Sequence, residues 1–298
     1  MSSQKSVYNF MDWLHSHHCS MLGKKPAEIY VFIDPLCPQC WGMEPVLKKL
    51  QMEYGPIISI KHVLTGKLVT PSFQKELQAP SQLADVWEKT ASRTGMSCDG
   101  DLWLTNAIPS TMPYNASLAI KAAELQGKKN GIRFLRKLRE YLFLKKKNIS
   151  EIDILVECAE ASGIDPKEFL QDINSEAAAK AFQCDLKITQ EMDVQEIPSL
   201  VIFNEKIEDE GIKISGIYPY EVYISILSEI IPDMPDPEPL PDIEYFVRFF
   251  NLVATREIAV VYNMKESEVE KEMKKLQLRQ LVQRIPGKQG TFWKYIKQ

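Results

Sequence analysis

The sequence predicts an α/β fold in which a small sheet is interrupted by a long helical insertion and followed by a separate C-terminal unit. Three observations predict it. The apolar run Ile29 to Ile33 leads into a C-x-x-C, Cys37 and Cys40, and then into a segment whose Val46, Leu47 and Leu50 fall at helical spacing. Strand-like runs before residue 65 and after residue 196 enclose an insertion of helical periodicity at about 79–193. Finally, Pro232 to Asp242 places five prolines among acidic residues, and a basic tail follows it.

At 298 residues, with 45% hydrophobic and 26% charged residues, the composition is that of an ordinary globular chain of more than one unit. The net charge of −4 conceals an asymmetry: residues 243–298 carry eleven Lys and Arg against six Glu, a net of +5, which leaves −9 for residues 1–242. Neither the total nor its sign advertises nucleic acid or an anionic membrane as a partner. The first 25 residues contain no uninterrupted apolar core of secretory length and no later stretch approaches a membrane span, so the expected location is cytoplasmic. Six scattered cysteines are too few for a disulfide scaffold, and a reducing compartment would keep them as thiols.

In chain order, residues 1–26 form an arm that carries His15, His17, His18 and Cys19. Three imidazoles and a thiol can ligate zinc, but contiguous ligands rarely close a tetrahedron, so a remote residue or water would complete it; the bland reading is a solvated arm. Ile29 to Ile33 and Ile57 to Leu64 read as strands, with His62 inside the second, and Thr65-Gly66 closes it. Helices follow at Leu83 to Arg93, Tyr114 to Leu125, Ile132 to Leu144, Ile152 to Ala161, Lys167 to Ile173 and Glu176 to Met192. Ser150 with Asp153 resembles a capping box, and Asp165-Pro166 starts the next helix. Ile197 to Phe203 and Lys213 to Gly216 read as strands and Tyr220 to Ile231 as an amphipathic helix; Pro198 suits a first or edge position. Residues 27–231 thus form a thioredoxin-like domain. Residues 232–242 form an extended Pro/acidic linker, a spacer that holds two domains apart. In residues 243–298, IEYFVRFFNLVA, TREIAVVYN and ESEVEKEMKKLQL read as helices and QLVQRIPGKQGTFWKYI as a hairpin, a winged-helix-like pattern. Trp87, Trp103 and Trp293 read as packing residues, and Cys98, Cys158 and Cys184 as buried thiols.

The dithiol carries the chemistry. A helix N-terminus aims unpaired N–H groups and positive dipole at the first sulfur, which favours thiolate over thiol and makes Cys37 the candidate nucleophile and Cys40 the resolving thiol. The bland alternative is a pair of ordinary thiols that came with the fold and catalyse nothing. Set together with Ile197-Pro198, C-P-Q-C and the helical insertion resemble the DsbA branch of the thioredoxin superfamily. That resemblance implies a cis Ile197–Pro198 bond beside the dithiol and a backbone free to pair with an extended substrate segment.

A closer resemblance runs over about residues 8–298. The His/Cys arm, DPLCPQCWGMEPVLKKL, WEKTASRTGMSCDG, KAAELQGKK, CDLKITQEMDV and VEKEMKKL resemble the SpxH/YjbH family of cytosolic proteins from Gram-positive bacteria. This resemblance implies binding rather than turnover: an adapter, not an enzyme, that delivers the transcription regulator Spx to the ClpXP protease and releases it under disulfide stress. It also implies zinc at His15, His17, His18 and Cys19, whose oxidation would expel the metal. The larger domain, with its peptide-pairing edge beside Pro198 and its helical surface, is the expected Spx-binding part.

Two other readings stand beside it. A cytosolic DsbA-like thiol-disulfide oxidoreductase would use Cys37 and Cys40, although Gln39 occupies the position where a histidine often stabilises the thiolate. A DNA-binding regulator would use the winged helix, but its recognition helix begins with Glu266, Glu268, Glu270 and Glu272, where phosphates would have to sit, so protein contact is expected instead.

Overall fold

The computed structural model describes residues 25–69, 79–105, 112–204 and 210–296. Strand β1 (Ala27–Ile33) is the middle of the first sheet. It pairs in parallel with β2 (Ile58–Leu64) and antiparallel with β3 (Ser199–Asn204), which pairs antiparallel with β4 (Ile212–Ser215), giving the order β2-β1-β3-β4. Ala27, Ile29, Val31 and Ile33 enter the main core, while Phe32 joins Val63, Val194 and Val201 on the opposite face. Burial on both faces explains why this stretch reads as a continuous apolar run. Phe32 lies opposite Ser199, so β3 begins at the end of the sheet where β1 runs into the dithiol. Strand β3 is internal, so of the two positions expected for Pro198, first or edge, the chain uses the one at the start of the strand. Pro198 precedes the strand, where no ladder N–H is needed, and its carbonyl accepts from Gly216 N at 2.8 Å.

After β1 come α1 (Pro38–Gly42) and α2 (Glu44–Tyr54), then, beyond β2, a short 3₁₀ turn at Lys67–Val69. The insertion comprises α3 (Pro80–Thr94), α4 (Asp101–Thr105), α5 (Met112–Leu125), α6 (Lys128–Phe143), α7 (Ile152–Ala161), α8 (Pro166–Asp172) and α9 (Glu176–Glu191); α10 (Tyr220–Ile230) follows β4. The periodic segments are helices within a few residues of their expected bounds. One-turn α4 carries too few residues for a period to register. Asp165 caps α8 as expected, accepting from the N–H groups of Lys167 and Glu168 at 2.8 and 3.0 Å. The box expected at Ser150 does not form: Glu151 is the N-cap of α7 without a side-chain bond, and Ser150 Oγ instead donates to Asn148 Oδ1 at 2.6 Å. The cap of α9 is Ser175, whose Oγ accepts from Ala178 N at 3.1 Å. Ser175→Ala is expected to lower unfolding stability by about 1 kcal/mol, read as an earlier urea midpoint at unchanged slope.

The C-terminal unit consists of α11 (Ile243–Phe250), β5 (Leu252–Ala254), α12 (Thr255–Val261), α13 (Glu266–Leu278), β6 (Val282–Pro286) and β7 (Thr291–Tyr295), with sheet order β5-β7-β6. Strand β5 corrects the helical reading of 243–254. Asn251 takes φ +64°, its carbonyl accepts from Tyr295 N, and Leu252–Ala254 pairs with β7, a long-range partner that local periodicity does not reveal. The unit has its own core around Phe246, Ile258, Met273 and Trp293, but Met52 of α2 enters that core, while Ala254 and Phe292 enter the main one. The 232–242 stretch has neither helix nor strand. It lies along α2, with Glu238 N donating to Glu53 O at 2.8 Å, Met234 packed on the main core and Leu240 on the second. The two units therefore touch rather than stand apart. Among the described residues, no helix is long and apolar enough to cross a membrane.

Candidate functional site

Cys37 is the N-cap of α1, in extended conformation, with Pro38 at the first helical position. Its Sγ accepts from Cys40 N at 3.1 Å, and its own N–H donates to Asp34 O at 3.2 Å. The expected strand, dithiol and helix thus stand in the expected order. The helix, however, is a single turn that ends at Met43, where the chain enters α2. Both cysteines are free thiols, Cys37 only 5% and Cys40 1% exposed. Burial, and then the Cys37 sulfur beside it, pushes the Cys40 thiol well up, with Arg139 opposing in part. With Cys37 itself only slightly exposed, the attacking sulfur is poorly placed to reach a folded protein's disulfide.

Around the dithiol lie buried polar groups that the motif does not announce. Burial pushes the Asp34 carboxyl up to about 6, although Leu68 N, Thr65 Oγ1 and Gly66 N all donate to it, at 3.0, 3.1 and 3.1 Å. These bonds tie the end of β1 to the turn after β2. Arg139, 1% exposed, donates to Glu44 Oε1 at 2.7 Å and to Asp34 O at 3.3 Å. His62 lies in β2 as expected, and burial lowers it to about 4, so it is neutral at pH 7.

The Ile197–Pro198 bond is cis, and Ile197 packs on the main core. Trp87, Trp103 and Trp293 are buried, as are Cys98 and Cys158. Cys184 is exposed, contrary to expectation, because α9 turns Phe182 and Asp185 inward and leaves residue 184 on its outer face. His15, His17, His18 and Cys19 lie outside the described residues.

The feature that sequence reasoning missed is what sits on Trp41, the residue after Cys40. Its indole Nε1 donates to Ser97 O at 3.0 Å, and the ring packs near Phe143 at 5.7 Å between centroids. From the C-terminal unit, Phe292 stacks on it at 6.4 Å with planes 12° apart. The Arg136 guanidinium lies 4.3 Å from its centroid. Arg136 in turn holds Glu257 of α12 through two bonds of 2.9 and 3.0 Å, and Lys48 pairs with the same carboxylate. Glu257 is fully buried and also accepts from Ala254 N at 2.7 Å. Burial alone would raise it, but Arg136 and Lys48 hold the Glu257 carboxyl down to about 2. No local pattern could have flagged this, because the partners are separated by 121 and 209 positions.

A second contact across the same boundary is acidic. Glu88, Asp99 and Asp101 bring carboxylate oxygens within 4.8 Å of one another, a spacing that could hold a cation. Lys288 from the β6–β7 turn already reaches all three, at 2.7, 3.5 and 3.0 Å, and Lys146 reaches Asp99 and Asp101 at 2.6 and 3.1 Å. The tip of the hairpin is therefore engaged within the molecule. Glu270, one of the carboxylates at the start of α13, accepts from Thr255 Oγ1 at 3.0 Å.

Comparison with known proteins agrees with this architecture. The thioredoxin family model matches residues 30–225. The chain is 48% identical over 278 residues to the ClpXP adapter protein SpxH of Halalkalibacterium halodurans, covering 92% of this chain and 90% of that one. It is 47% identical over 286 residues to the protein of the same name from Bacillus subtilis, covering 96% and 95%. Among solved structures, a putative protein disulfide isomerase from Nitrosomonas europaea superposes with TM-score 0.59 at 19% identity, over 69% of this chain and 97% of that one. The cytosolic disulfide reductase DsbM of Pseudomonas aeruginosa superposes with TM-score 0.54 at 14% identity, over 68% and 100%. At such identities the structural likeness speaks for the DsbA-like fold alone.

Proposed function

Because the chain belongs to the SpxH family of ClpXP adapter proteins, built on a thioredoxin-type frame, we propose that it binds the transcription regulator Spx in the cytoplasm and promotes its degradation by ClpXP. The observation that carries this reading is likeness that runs nearly end to end, 96% of this chain against 95% of the Bacillus subtilis protein, so both the DsbA-like part and the C-terminal unit are included. The adapter itself breaks no bond. It holds the client so that the protease can engage it, and release under disulfide stress ends the delivery.

We assign Spx recognition to residues 27–231, the larger unit, joined through 232–242 to the winged-helix-like residues 243–298. The donor set of His15, His17, His18 and Cys19 fits zinc, with a remote residue or water completing the site. Nucleic acid and membrane are not partners in this reading. The hairpin tip and the first turn of α13, which would have to meet phosphate, are occupied by contacts within the chain, Lys288 with Glu88 and Arg256 with Glu266 among them.

A second reading, thiol-disulfide exchange by Cys37 and Cys40, is favoured by the motif and the N-cap geometry, and opposed by the burial of both sulfurs. Replacing both residues, Cys37→Ala with Cys40→Ala, separates the two. The doubly substituted protein is expected to support Spx degradation by ClpXP within about twofold of the parent rate. Loss of stimulation in a protein that still folds would place the dithiol in the mechanism.

A further inference from the structure

The adapter reading leaves the dithiol without a task, yet the residue that follows it is where the C-terminal unit rests. Cys40 and Trp41 are consecutive residues of α1, and both are almost wholly buried. Trp41 is fixed by four groups: Ser97 O on its indole nitrogen, Phe143, Arg136 and Phe292. Three of the four belong to the boundary with residues 243–298: Ser97 Oγ accepts from Gln289 N at 3.2 Å. Phe292 is part of β7, and Arg136 is bound in bidentate fashion to Glu257.

We propose that the oxidation state of Cys37 and Cys40 is coupled, through Trp41, to how tightly residues 243–298 dock on the thioredoxin-like part. In the dithiol state Cys37 Sγ is a hydrogen-bond acceptor for Cys40 N, and the Cys40 sulfur is packed in the main core. Oxidation by a low-molecular-weight disulfide, R–S–S–R, proceeds in two displacements. The Cys37 sulfur attacks R–S–S–R, and one R–S⁻ leaves with the Cys37 proton as R–SH. The Cys40 sulfur then attacks the mixed disulfide, the Cys37–Cys40 bond forms, and the second R–S⁻ leaves with the Cys40 proton. Two protein thiols are oxidised and one small disulfide is reduced to two thiols.

Bond formation replaces the thiol contacts of Cys37 and Cys40, one an acceptor for Cys40 N and both packed in the main core, with a covalent link, and a close-packed interior passes such a change on rather than absorbing it. Ser97, Phe143 and Arg136 are rooted in the same body as α1, although Ser97 and Arg136 also bond across the boundary, to Gln289 and Glu257. Phe292 is carried by the hairpin of the other unit, and the mismatch is released there. Oxidation therefore weakens docking and, because coupling between two equilibria is reciprocal, weakened docking favours oxidation. This coupling does not depend on the identity of the client.

The test uses the full chain in glutathione redox buffers. Hydrogen exchange of the β7 and α12 amides is expected to be at least about threefold faster in the oxidised than in the reduced protein, and unchanged between the same buffers in Cys40→Ser, which cannot form the bond. Phe292→Leu, and independently Arg136→Lys, which keeps the charge but loses the planar stack, are expected to shift the dithiol–disulfide equilibrium toward disulfide by about threefold. Equal exchange rates in both states overturn the proposal. An unchanged equilibrium in two folded variants overturns it as well, as does failure of Cys37 and Cys40 to form a disulfide in any of these buffers.

Discussion

Glu257→Ala is expected to be among the most damaging single substitutions in this chain, lowering stability by about 3–5 kcal/mol. The reason is asymmetry rather than the strength of the ion pair. Glu257 is fully buried and answers two cations, Arg136 and Lys48, that come from a different part of the fold. Removing it takes from Lys48 its paired carboxylate in a poorly solvated place, leaves Arg136 with Glu140 and the more distant Glu44, and also strips Ala254 N of its acceptor. Denaturant unfolding followed by Trp fluorescence measures the loss. A change below about 1 kcal/mol would mean that water enters the boundary and screens it. The same carboxylate sets a pH dependence. Its folded value, about 2, lies below its unfolded one, so its contribution is complete above the ordinary glutamate range near 4.5 and is lost as pH falls from there toward 2. Acid should therefore loosen the docking of residues 243–298 within that window.

Trp41→Ala should cost a comparable amount, about 3–5 kcal/mol, for a different reason. The indole is completely buried between the two units, so its removal leaves a cavity lined by Phe143 and Phe292, an unpaired carbonyl at Ser97 and an unstacked Arg136. Trp41→Phe keeps most of the volume and should recover more than half of the loss, whereas equal damage from both variants would point to the Ser97 hydrogen bond rather than the packing. Comparison by thermal melting in reducing buffer distinguishes them.

These two sites mark the limit of what could be read from the chain alone. The frame was legible because its signals are local: the apolar run of β1, buried on both faces, the proline and cysteine at the head of α1, Asp165-Pro166 at the head of α8, and the period of the long insertion helices. Strand β5 was read as helix because its partner lies some forty residues away on β7, and the one-turn α4 is too short to show a period. The capping box at Ser150 failed because Asn148 competes for the hydroxyl. At the dithiol, the DsbA resemblance implied Pro198 beside Cys37 and Cys40, and β3 does begin at the end of the sheet where β1 runs into them. The depth of their burial and the presence of Glu257, Arg136 and Lys48 behind Trp41 are properties of tertiary contact, which no spacing encodes. The acidic linker suggested two bodies held apart, whereas the chain uses it to lay one against the other.

That close packing also decides how the adapter reading should be tested. Cutting the chain at residue 231 would uncover Trp41 and leave Arg136 and Lys48 without Glu257, so a failed truncation would report damage as readily as function. The most direct measurement keeps the full chain: degradation of purified Spx by ClpXP, followed in time with and without this protein under reducing conditions. The account predicts clear acceleration at substoichiometric amounts, with the added protein itself remaining intact. Degradation at the same rate with and without it would contradict the account and return thiol-disulfide exchange at Cys37 and Cys40 to first place.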